Sequence, residues 1–392
     1  AESNPGPTTE TVAVSGVDPN DKIGPAGYGS TVGFNGFVQA GMMPYEIDFE
    51  NDPDLGATAP AQEVFITDEL DTDLDLATLE FTGFGFNNLD FAVPPGLRAY
   101  ETTLDLRPKG IDLWVHVILD VNTETRLLSA SFRSLDPMTG LLTPDPDAGF
   151  LPVNDKARHN GEGSIAYRVH CTGATSTQVD NQANIVFDTN PPILTPVTRH
   201  AIDSEPPSSA LTTARKTGDG ADIILALSAD DGTGSGVVSY DIQVATGAGS
   251  ARAFWGAVPG PETVYDDGDF GTTYSFHVRA VDGVGLASAY PPTASATVRI
   301  PEWAFPFAVE NAAVSELFVG LDSEASSGWD AGLDEDVPAS VTRAPGAVYL
   351  DAEIAGHATL AYDVRPVADL VRWLLRADPV GAPTRVSWDS TR

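Results

Sequence analysis

Apolar and polar residues alternate along most of this 392-residue sequence, and the alternation limits what the chain can fold into. It is clearest in Thr11–Ser15, Glu63–Thr67, Asp112–Leu119, Ser164–Val169 and Tyr274–Val281. A period of two residues places every second side chain on the same face of a β-strand. These segments are bounded by turn-forming residues, and the chain contains 37 Gly and 30 Pro. An all-β fold of short strands arranged in β-sandwiches is therefore predicted. Helical spacing occurs in Val367–Leu375, which we interpret as one or two helical turns or an edge strand.

The length of the chain indicates more than one domain, because a single hydrophobic core stops growing at about 250–300 residues. The first domain is predicted to span residues 1–200 and to end near NPPILTP. The polar, proline-rich segment IDSEPPSS follows as a short linker into a second domain, residues 201–300. Residues 301–392 form the third domain. Its last segment, TRVSWD, has a strand pattern, so we expect either an incomplete module or a strand that pairs outside the chain.

The charge of the chain excludes one class of partner. The formal net charge is −35 and the sequence pI is about 4.1. A surface of this sign repels the phosphates of nucleic acids, but it suits divalent cations or an extracellular medium. Cys171 is the single cysteine, so no disulfide forms within the chain. No apolar run is long enough for a transmembrane segment. The sequence begins at Ala1, as a mature secreted protein does, and we expect an extracellular or cell-surface location.

Several motifs resemble known families of surface proteins. Residues 1–200 contain GVDPNDKIGPAGYG, YEIDFENDP, EVFITDELD, FRSLDPMTG and NQANIVFDTNPPI. They resemble the conserved, DUF11-related repeat domain of large bacterial and archaeal surface proteins. The motifs SGVVSYDIQV and YSFHVRAVDGVG of the second domain are similar to fibronectin type III and bacterial Ig-like modules. The resemblance implies tandem Ig-like or fibronectin-like β-sandwiches in an extracellular, non-enzymatic protein, and it assigns no ligand.

The third domain contains FVGLDSEASSGWDAGLDEDVP, which is similar to a C-terminal module of secreted surface proteins. Asp322, Asp330 and Asp334 match the acidic positions of that module. Ser323, Glu324 and Ser326 differ from it.

Two short motifs at the ends of the first domain suggest a calcium site. A calcium ion takes about six to eight oxygen ligands. The motif DTNPP offers Asp188 and Asn190 at the end of a strand, and DPNDK offers Asp18, Asn20 and Asp21 in a loop. The two motifs would supply one shell if the first and last strands are neighbours. The alternative is turn chemistry, in which Asp and Asn bond the backbone two residues on.

Two further acidic loops are candidates for Ca²⁺ binding. The first, DELDTDLD, contains Asp68, Asp71 and Asp73, whose like charges repel unless water or a cation separates them. The second and stronger candidate contains Asp322, Glu324, Asp330, Asp334 and Asp336, interleaved with Gly328 and Gly332. Its spacing differs from the EF-hand pattern. Simple solvation of the carboxylates is the alternative at both loops.

No catalytic motif is recognised in the sequence. The six histidines are scattered, and neither H-E-x-x-H nor G-x-S-x-G occurs. We therefore expect a non-enzymatic, secreted structural or adhesive protein. The favoured function is that of a subunit of an extracellular filament or array, assembled head to tail by β-strand addition and stiffened by calcium. Thr384–Asp389 or Thr11–Ser15 would supply the added strand. The alternative is an ancillary module that binds a carbohydrate or a surface protein within a larger adhesin or hydrolase.

Overall fold

The computed structural model describes residues 20–217, 221–247, 251–310, 316–327, 329–331, 333–336, 348–354, 357–366, 375–377 and 385–387. The chain divides into two compact units. The first unit comprises residues 1–205 and 233–235, and the second comprises residues 206–232 and 236–392. The described residues form β-strands and two short 3₁₀ turns, Pro53–Leu55 and Arg107–Lys109, and no α-helix. The predicted all-β class is confirmed.

The first unit is built on a five-stranded and a six-stranded sheet. The five-stranded sheet has the order β1 (Lys22–Ile23), β3 (Gly41–Glu50), β10 (Glu162–Cys171), β5 (Leu74–Phe86) and β6 (Leu89–Ala92). The six-stranded sheet has the order β13 (Ile193–Leu194), β12 (Ala183–Phe187), β4 (Glu63–Glu69), β9 (Leu127–Leu135), β8 (Trp114–Asn122) and β7 (Ala99–Asp105). All pairings in both sheets are antiparallel. Antiparallel sheets of this kind bury one face and leave the other in water.

The inward faces of these sheets form one core. In β4 the buried positions are Val64, Ile66 and Asp68, two residues apart, as the alternation predicts. Phe132 lies at the centre of the core, with its ring centroid 5.3 Å from that of Phe49 and 5.7 Å from that of Phe150. Large aromatic side chains dominate the energy of such cores.

A small third sheet completes the first unit. It contains β11 (Gln178–Asn181), β14 (Thr198–Asp203) and β2 (Phe37–Gln39), with β14 parallel to β2. The boundary predicted at residue 200 falls within β14, where His200 and Ile202 are buried. Because this strand pairs with both of its neighbours, the first unit continues to Glu205.

The second unit begins with two antiparallel sheets. One contains β15 (Ser208–Thr217), β16 (Asp222–Asp230) and β19 (Glu262–Tyr265). The other contains β18 (Ala253–Val258), β17 (Val237–Thr246), β20 (Thr273–Asp282) and β21 (Ala296–Arg299). Residues from both sheets share one hydrophobic cluster between Ala221 and Ile300. The tandem sandwich arrangement of the prediction is confirmed.

The same unit contains a further sheet from residues of the predicted third domain. Its order is β27 (Leu375–Ala377), β25 (Val348–Ile354), β26 (His357–Pro366), β23 (Glu316–Asp322), β22 (Trp303–Glu310) and β28 (Arg385–Ser387), and β24 (Glu335–Asp336) pairs with β26. The predicted terminal strand is β28, and it pairs with β22 of its own chain through Val386 and Val309. Thr11–Ser15 lies outside the described residues, as does Val367–Leu375 except for Leu375 in β27.

Candidate functional site

The terminal loop predicted to hold calcium uses its oxygens within the fold. Asp18 lies outside the described residues. Asn20 is buried, and its Oδ1 accepts a hydrogen bond of 3.2 Å from the backbone N–H of Glu50. The carboxylate of Asp21 accepts one of 2.7 Å from the N–H of Lys22. The contact of Asn20 attaches the loop to β3.

The second half of that predicted site contacts a different strand. Asp188 has a left-handed backbone, with φ of 51°. Its Oδ1 accepts hydrogen bonds from the N–H groups of Gln62 (2.9 Å) and Glu63 (2.8 Å) at the start of β4. Asn190 is exposed at the surface. The carboxylate of Asp188 thus joins two segments of backbone, as the turn-chemistry alternative describes.

The acids of DELDTDLD have separate roles. Asp71 accepts hydrogen bonds of 3.0 Å from the N–H groups of Asp73 and Asp180. Asp73 follows in the turn, and its carbonyl oxygen accepts from the N–H of Thr172. Asp68 is buried and forms an ion pair with Lys22. The three residues therefore contact backbone amides or a buried ammonium group.

The acidic loop of the second unit has its own cation. Asp322 is fully buried, and its Oδ2 lies 2.9 Å from Nε of Arg299. Glu324 is exposed and lies 3.4 Å from the same guanidinium. The carboxylate of Asp330 accepts from the N–H of Ser326 (2.6 Å), and that of Asp334 accepts from the N–H of Asp330 (2.8 Å). Asp336 ends β24, where its backbone pairs with β26.

A different group of acids lies on the outer face of the five-stranded sheet. Glu46, Asp48 and Glu50 alternate with the buried residues Ile47 and Phe49 along β3. Asp21, just before β1, and Glu162 on β10 flank them, since Asp21 exchanges backbone hydrogen bonds with Asp48 and Glu162 pairs with Glu50. We call these residues, together with Asp90, the acidic trough.

The centre of the acidic trough is open because its residues are small. Asp48 is directly opposite Ser164, Ser164 is opposite Gly85, and Gly85 is opposite Asp90. Serine and glycine thus separate the carboxylates of Asp48 and Asp90. The resulting cavity has a volume of about 440 Å³. Its lining includes Asp48, Asp90, His159, Glu162, Gly85 and Ser164.

The electrostatics of the trough favour a positive ligand. Burial, together with the charges of Glu46, Asp21 and Glu162, raises the pKa of Asp48 to about 7. Burial also raises the pKa of Glu50, although a hydrogen bond from Asn154 opposes that change. Nδ1 of His159 lies 2.7 Å from a carboxylate oxygen of Glu162, which raises the pKa of the imidazole. A cation placed among these groups would offset the cost of burying the ionised Asp48 and the repulsion from its neighbours.

The acidic trough is a site that the sequence motifs did not identify. The signal was present in YEIDFE, where acids occur at every second position of one strand. Such a row shares one face of a sheet. The calcium candidates predicted from the sequence are acids in loops, whereas the acids of YEIDFE lie in a strand. What the motif could not indicate was the neighbouring strand that brings Glu162 opposite Glu50.

Comparison with known proteins gives likenesses of structure only. No family model matches the sequence, and no curated protein does. Among solved structures, the twitchin kinase region from C. elegans is similar to 25% of this chain at 22% identity, with a TM-score of 0.20, and the match spans 17% of that region. The collagen-binding domain from a Staphylococcus aureus adhesin matches 48% of the chain and 99% of its own length at 11% identity, with a TM-score of 0.25. Domains A168–A170 from titin match 67% of the chain and 75% of their own length at 10% identity, with a TM-score of 0.26. What these proteins bind is a property of those proteins.

Within the part of the chain that the structure describes, no helix has the length and apolar content needed to cross a bilayer.

Proposed function

We propose that this chain is a non-enzymatic structural or adhesive module of an extracellular surface, and that it takes up Ca²⁺ at the acidic trough. The observation that carries the proposal is the cavity of about 440 Å³ lined by the carboxylates of Asp48, Asp90 and Glu162, where burial and neighbouring charges raise the pKa of Asp48 to about 7. Carboxylates brought together by the fold repel one another, and a proton or a metal ion relieves that repulsion. Calcium is a hard cation that accepts carboxylate and hydroxyl oxygens at flexible geometry, so it suits a shallow, oxygen-lined site.

The loops first expected to bind calcium support this choice of site. The carboxylates of Asp71 and Asp188 each accept two hydrogen bonds from backbone N–H groups, and that of Asp322 faces Arg299. A carboxylate engaged in this way gives up favourable contacts before it can bind an ion. On β3, burial and the neighbouring acids instead disfavour the ionised form of Asp48, so a cation gains most there.

Self-association is the second part of the proposal, and β7 is the edge that we assign to it. Among the described residues this seven-residue strand pairs on one side, with β8. An open edge offers backbone groups to a strand of another chain. Glu101 and Asp105 are exposed on β7 and repel a second acidic chain. Calcium would shield that repulsion, which makes head-to-tail assembly into a filament or array dependent on the cation.

Electron microscopy and calorimetry together test the two parts. The full chain is imaged with Ca²⁺ and after chelation, and Ca²⁺ binding is measured by titration calorimetry. The expected result is ordered assemblies that shorten or dissolve on chelation, with binding heat that Asp48→Asn removes. Asp120→Asn is the matched control, because it removes one charge from an exposed position on β8. Equal Ca²⁺ binding by the wild type and Asp48→Asn would refute the site, and monomers under both conditions would refute the assembly.

A row of aromatic side chains favours a second function, the binding of a carbohydrate by an ancillary module. Trp303, Phe305 and Phe307 occupy alternate positions on β22. The rings of Trp303 and Phe305 are stacked with centroids 6.0 Å apart, and Trp303 is 44% exposed. Exposed aromatic faces can stack on the apolar face of a sugar ring. Binding to a panel of glycans that Trp303→Ala abolishes and Phe254→Ala leaves unchanged would support this function, since Phe254 is also exposed. Absence of binding across the panel would exclude it.

A further inference from the structure

The most unusual polar contact of the first unit joins its two main sheets through the core. Lys22 on β1 belongs to the five-stranded sheet and Asp68 on β4 belongs to the six-stranded sheet. Nζ of Lys22 contacts Oδ2 of Asp68, and both side chains have 0% exposure. Each residue occupies an inward position, because Lys22 is opposite the buried Ile47 and Asp68 follows Val64 and Ile66 on the buried face of β4. The contact therefore lies inside the sandwich.

Aromatic rings enclose this contact. Nζ of Lys22 lies 5.2 Å from the ring centroid of Tyr45 and 5.8 Å from that of Tyr167. The two tyrosines are paired across β3 and β10, and their rings are stacked with centroids 5.4 Å apart. The hydroxyl of Tyr167 donates to Oδ2 of Asp68 at 3.2 Å. Oδ1 of Asp68 is also buried and has no hydrogen-bond partner among the described residues.

An ion pair in such surroundings is costly to maintain. Removing both charges from water costs several kcal/mol per ion, and the pair needs further hydrogen bonds to offset that cost. Here one carboxylate oxygen lacks a partner in the described structure. Burial lowers the pKa of Lys22, although Asp68 opposes the change. Transfer of a proton within the pair gives a neutral amine against a neutral carboxylic acid, which are the two reactants of amide formation.

We propose that Lys22 and Asp68 condense into an amide bond that links the two sheets covalently. The lone pair of Nζ attacks Cγ of Asp68, and a new N–C bond forms. The C–O bond to one carboxyl oxygen then breaks, and that oxygen leaves as water with two hydrogens that were on the ammonium group. The ammonium and the carboxylate together become one amide and one water molecule, so charge and atoms balance without an oxidant or a co-reactant.

The surroundings supply what this reaction needs. The hydroxyl of Tyr167 is placed to stabilise negative charge that develops on Oδ2 during attack. The sandwich holds the nucleophile against the carboxyl group of Asp68, which replaces an encounter in solution by a fixed geometry. Exclusion of water from the core also disfavours hydrolysis of the product. Tyr167 is here a positioning residue for the condensation, and the modification site is the pair of Lys22 and Asp68.

Mass spectrometry of the full chain tests the proposal. The purified protein is denatured, its intact mass is measured, and a proteolytic digest is then sequenced by tandem mass spectrometry. The expected mass is lower than that of the sequence by one water molecule, with Lys22 and Asp68 recovered in one branched peptide. Lys156 provides a control in the same digest, because it contacts Asp54 at the surface, where their side chains are 55% and 76% exposed. Lys156 is expected in an ordinary linear peptide.

The result separates the amide from a simple buried ion pair. A mass equal to that of the sequence, with Lys22 and Asp68 in separate linear peptides, would overturn the proposal. Loss of one ammonia molecule, with Lys22 joined to the amide of Asn181, which hydrogen-bonds to Tyr45, would overturn the assignment to Asp68. The variant Lys22→Met is expected to have its full sequence mass. If that variant fails to fold, the wild-type measurement still decides the question, since it requires no substitution.

Discussion

Neutralising Asp48 should stabilise the first unit at neutral and alkaline pH. The folded protein raises the pKa of this carboxyl from its ordinary value of 3.8 to about 7. The folded state therefore binds a proton more tightly than the unfolded state does. The free energy of unfolding should fall as the pH rises from 3.8 to about 7, because the unfolded state loses its proton first and gains from doing so. The variant Asp48→Asn resembles the protonated side chain at every pH and should not show this loss.

The size of the effect follows from the same interval. Each tenfold change in proton affinity is worth about 1.36 kcal/mol. The rise in pKa from 3.8 to about 7 therefore corresponds to about 4 kcal/mol for a group fully protected from water and salt. Asp48 is half-buried, and water and salt screen the charges that act on it. We therefore expect the free energy of unfolding of Asp48→Asn to be about 2 to 4 kcal/mol higher than that of the wild type at pH values above the folded-state pKa. Near the ordinary pKa the two proteins should have about the same stability.

Native-state hydrogen exchange can measure this difference within one unit of a longer chain. Peptides from β3 and β10 are followed by mass spectrometry across the pH range, with correction for the intrinsic exchange rate at each pH. Saturating Ca²⁺ should raise the stability of the wild type at the upper end of the range and leave Asp48→Asn unchanged. Asp120→Asn shows how much of any change comes from lower net charge alone. A constant difference between Asp48→Asn and the wild type at all pH values would refute the reasoning, because a pKa shift requires the difference to grow.

Three further substitutions test other parts of the structure by thermal or chemical unfolding. Arg299→Met leaves the fully buried Asp322 without its guanidinium and should cost about 3–5 kcal/mol, whereas Arg107→Met at an exposed pair should change the free energy of unfolding little; equal losses would contradict the assigned burial. Gly163→Ala places a methyl group 2.4 Å from the ring of Phe49 and should cost about 1–3 kcal/mol, while Gly256→Ala meets no atom within 4 Å and should cost less. An unchanged free energy of unfolding in Gly163→Ala would show that β3 and β10 can move apart at no cost. Asp188→Ala removes the acceptor of two backbone N–H groups and should cost about 1.5–3 kcal/mol; a stabilised variant would show that charge repulsion dominates at that turn.

The fold class was predictable from the sequence, because alternation determines which side chains can share a face. Glu63–Thr67 became the centre of β4 with Val64 and Ile66 inward, as its pattern indicates. The end of the first unit was less predictable. DSEPP looks like a linker, but the preceding strand pairs in parallel with β2, more than 150 residues earlier in the chain. No local pattern reports a pairing of that separation, so the predicted boundary fell within β14.

The candidate sites were predictable in composition but not in place. The sequence shows that the acidic loops are dense in oxygen ligands. It does not show which backbone N–H groups lie near those oxygens. Asp188 meets the amides of Gln62 and Glu63, which are distant in the chain. The motif DELDTDLD groups Asp68 with Asp71 and Asp73, although its position two residues after Ile66 places it on the buried face of β4. An acid at an inward strand position needs a buried partner, and Lys22 supplies it.

The position of a carboxylate in a loop or in a strand therefore determines how it can respond to a cation in this protein. A loop can turn its own backbone amides toward an acid, and it does so for Asp71 and Asp330, while Asp188 accepts from amides at the start of β4. A strand has already committed its amides to the neighbouring strands, so acids on its outer face must be satisfied by side chains or by solvent. On β3 the side chains opposite Asp48 and Glu50 are Ser164 and another acid, Glu162, and they offer no positive charge. Burial and neighbouring charges thus raise the pKa of Asp48 on the sheet face, even though the loops contain the denser acidic motifs. A cation that stabilises this protein should consequently act through the acidic trough, and its effect should disappear with Asp48 while the loop acids remain intact.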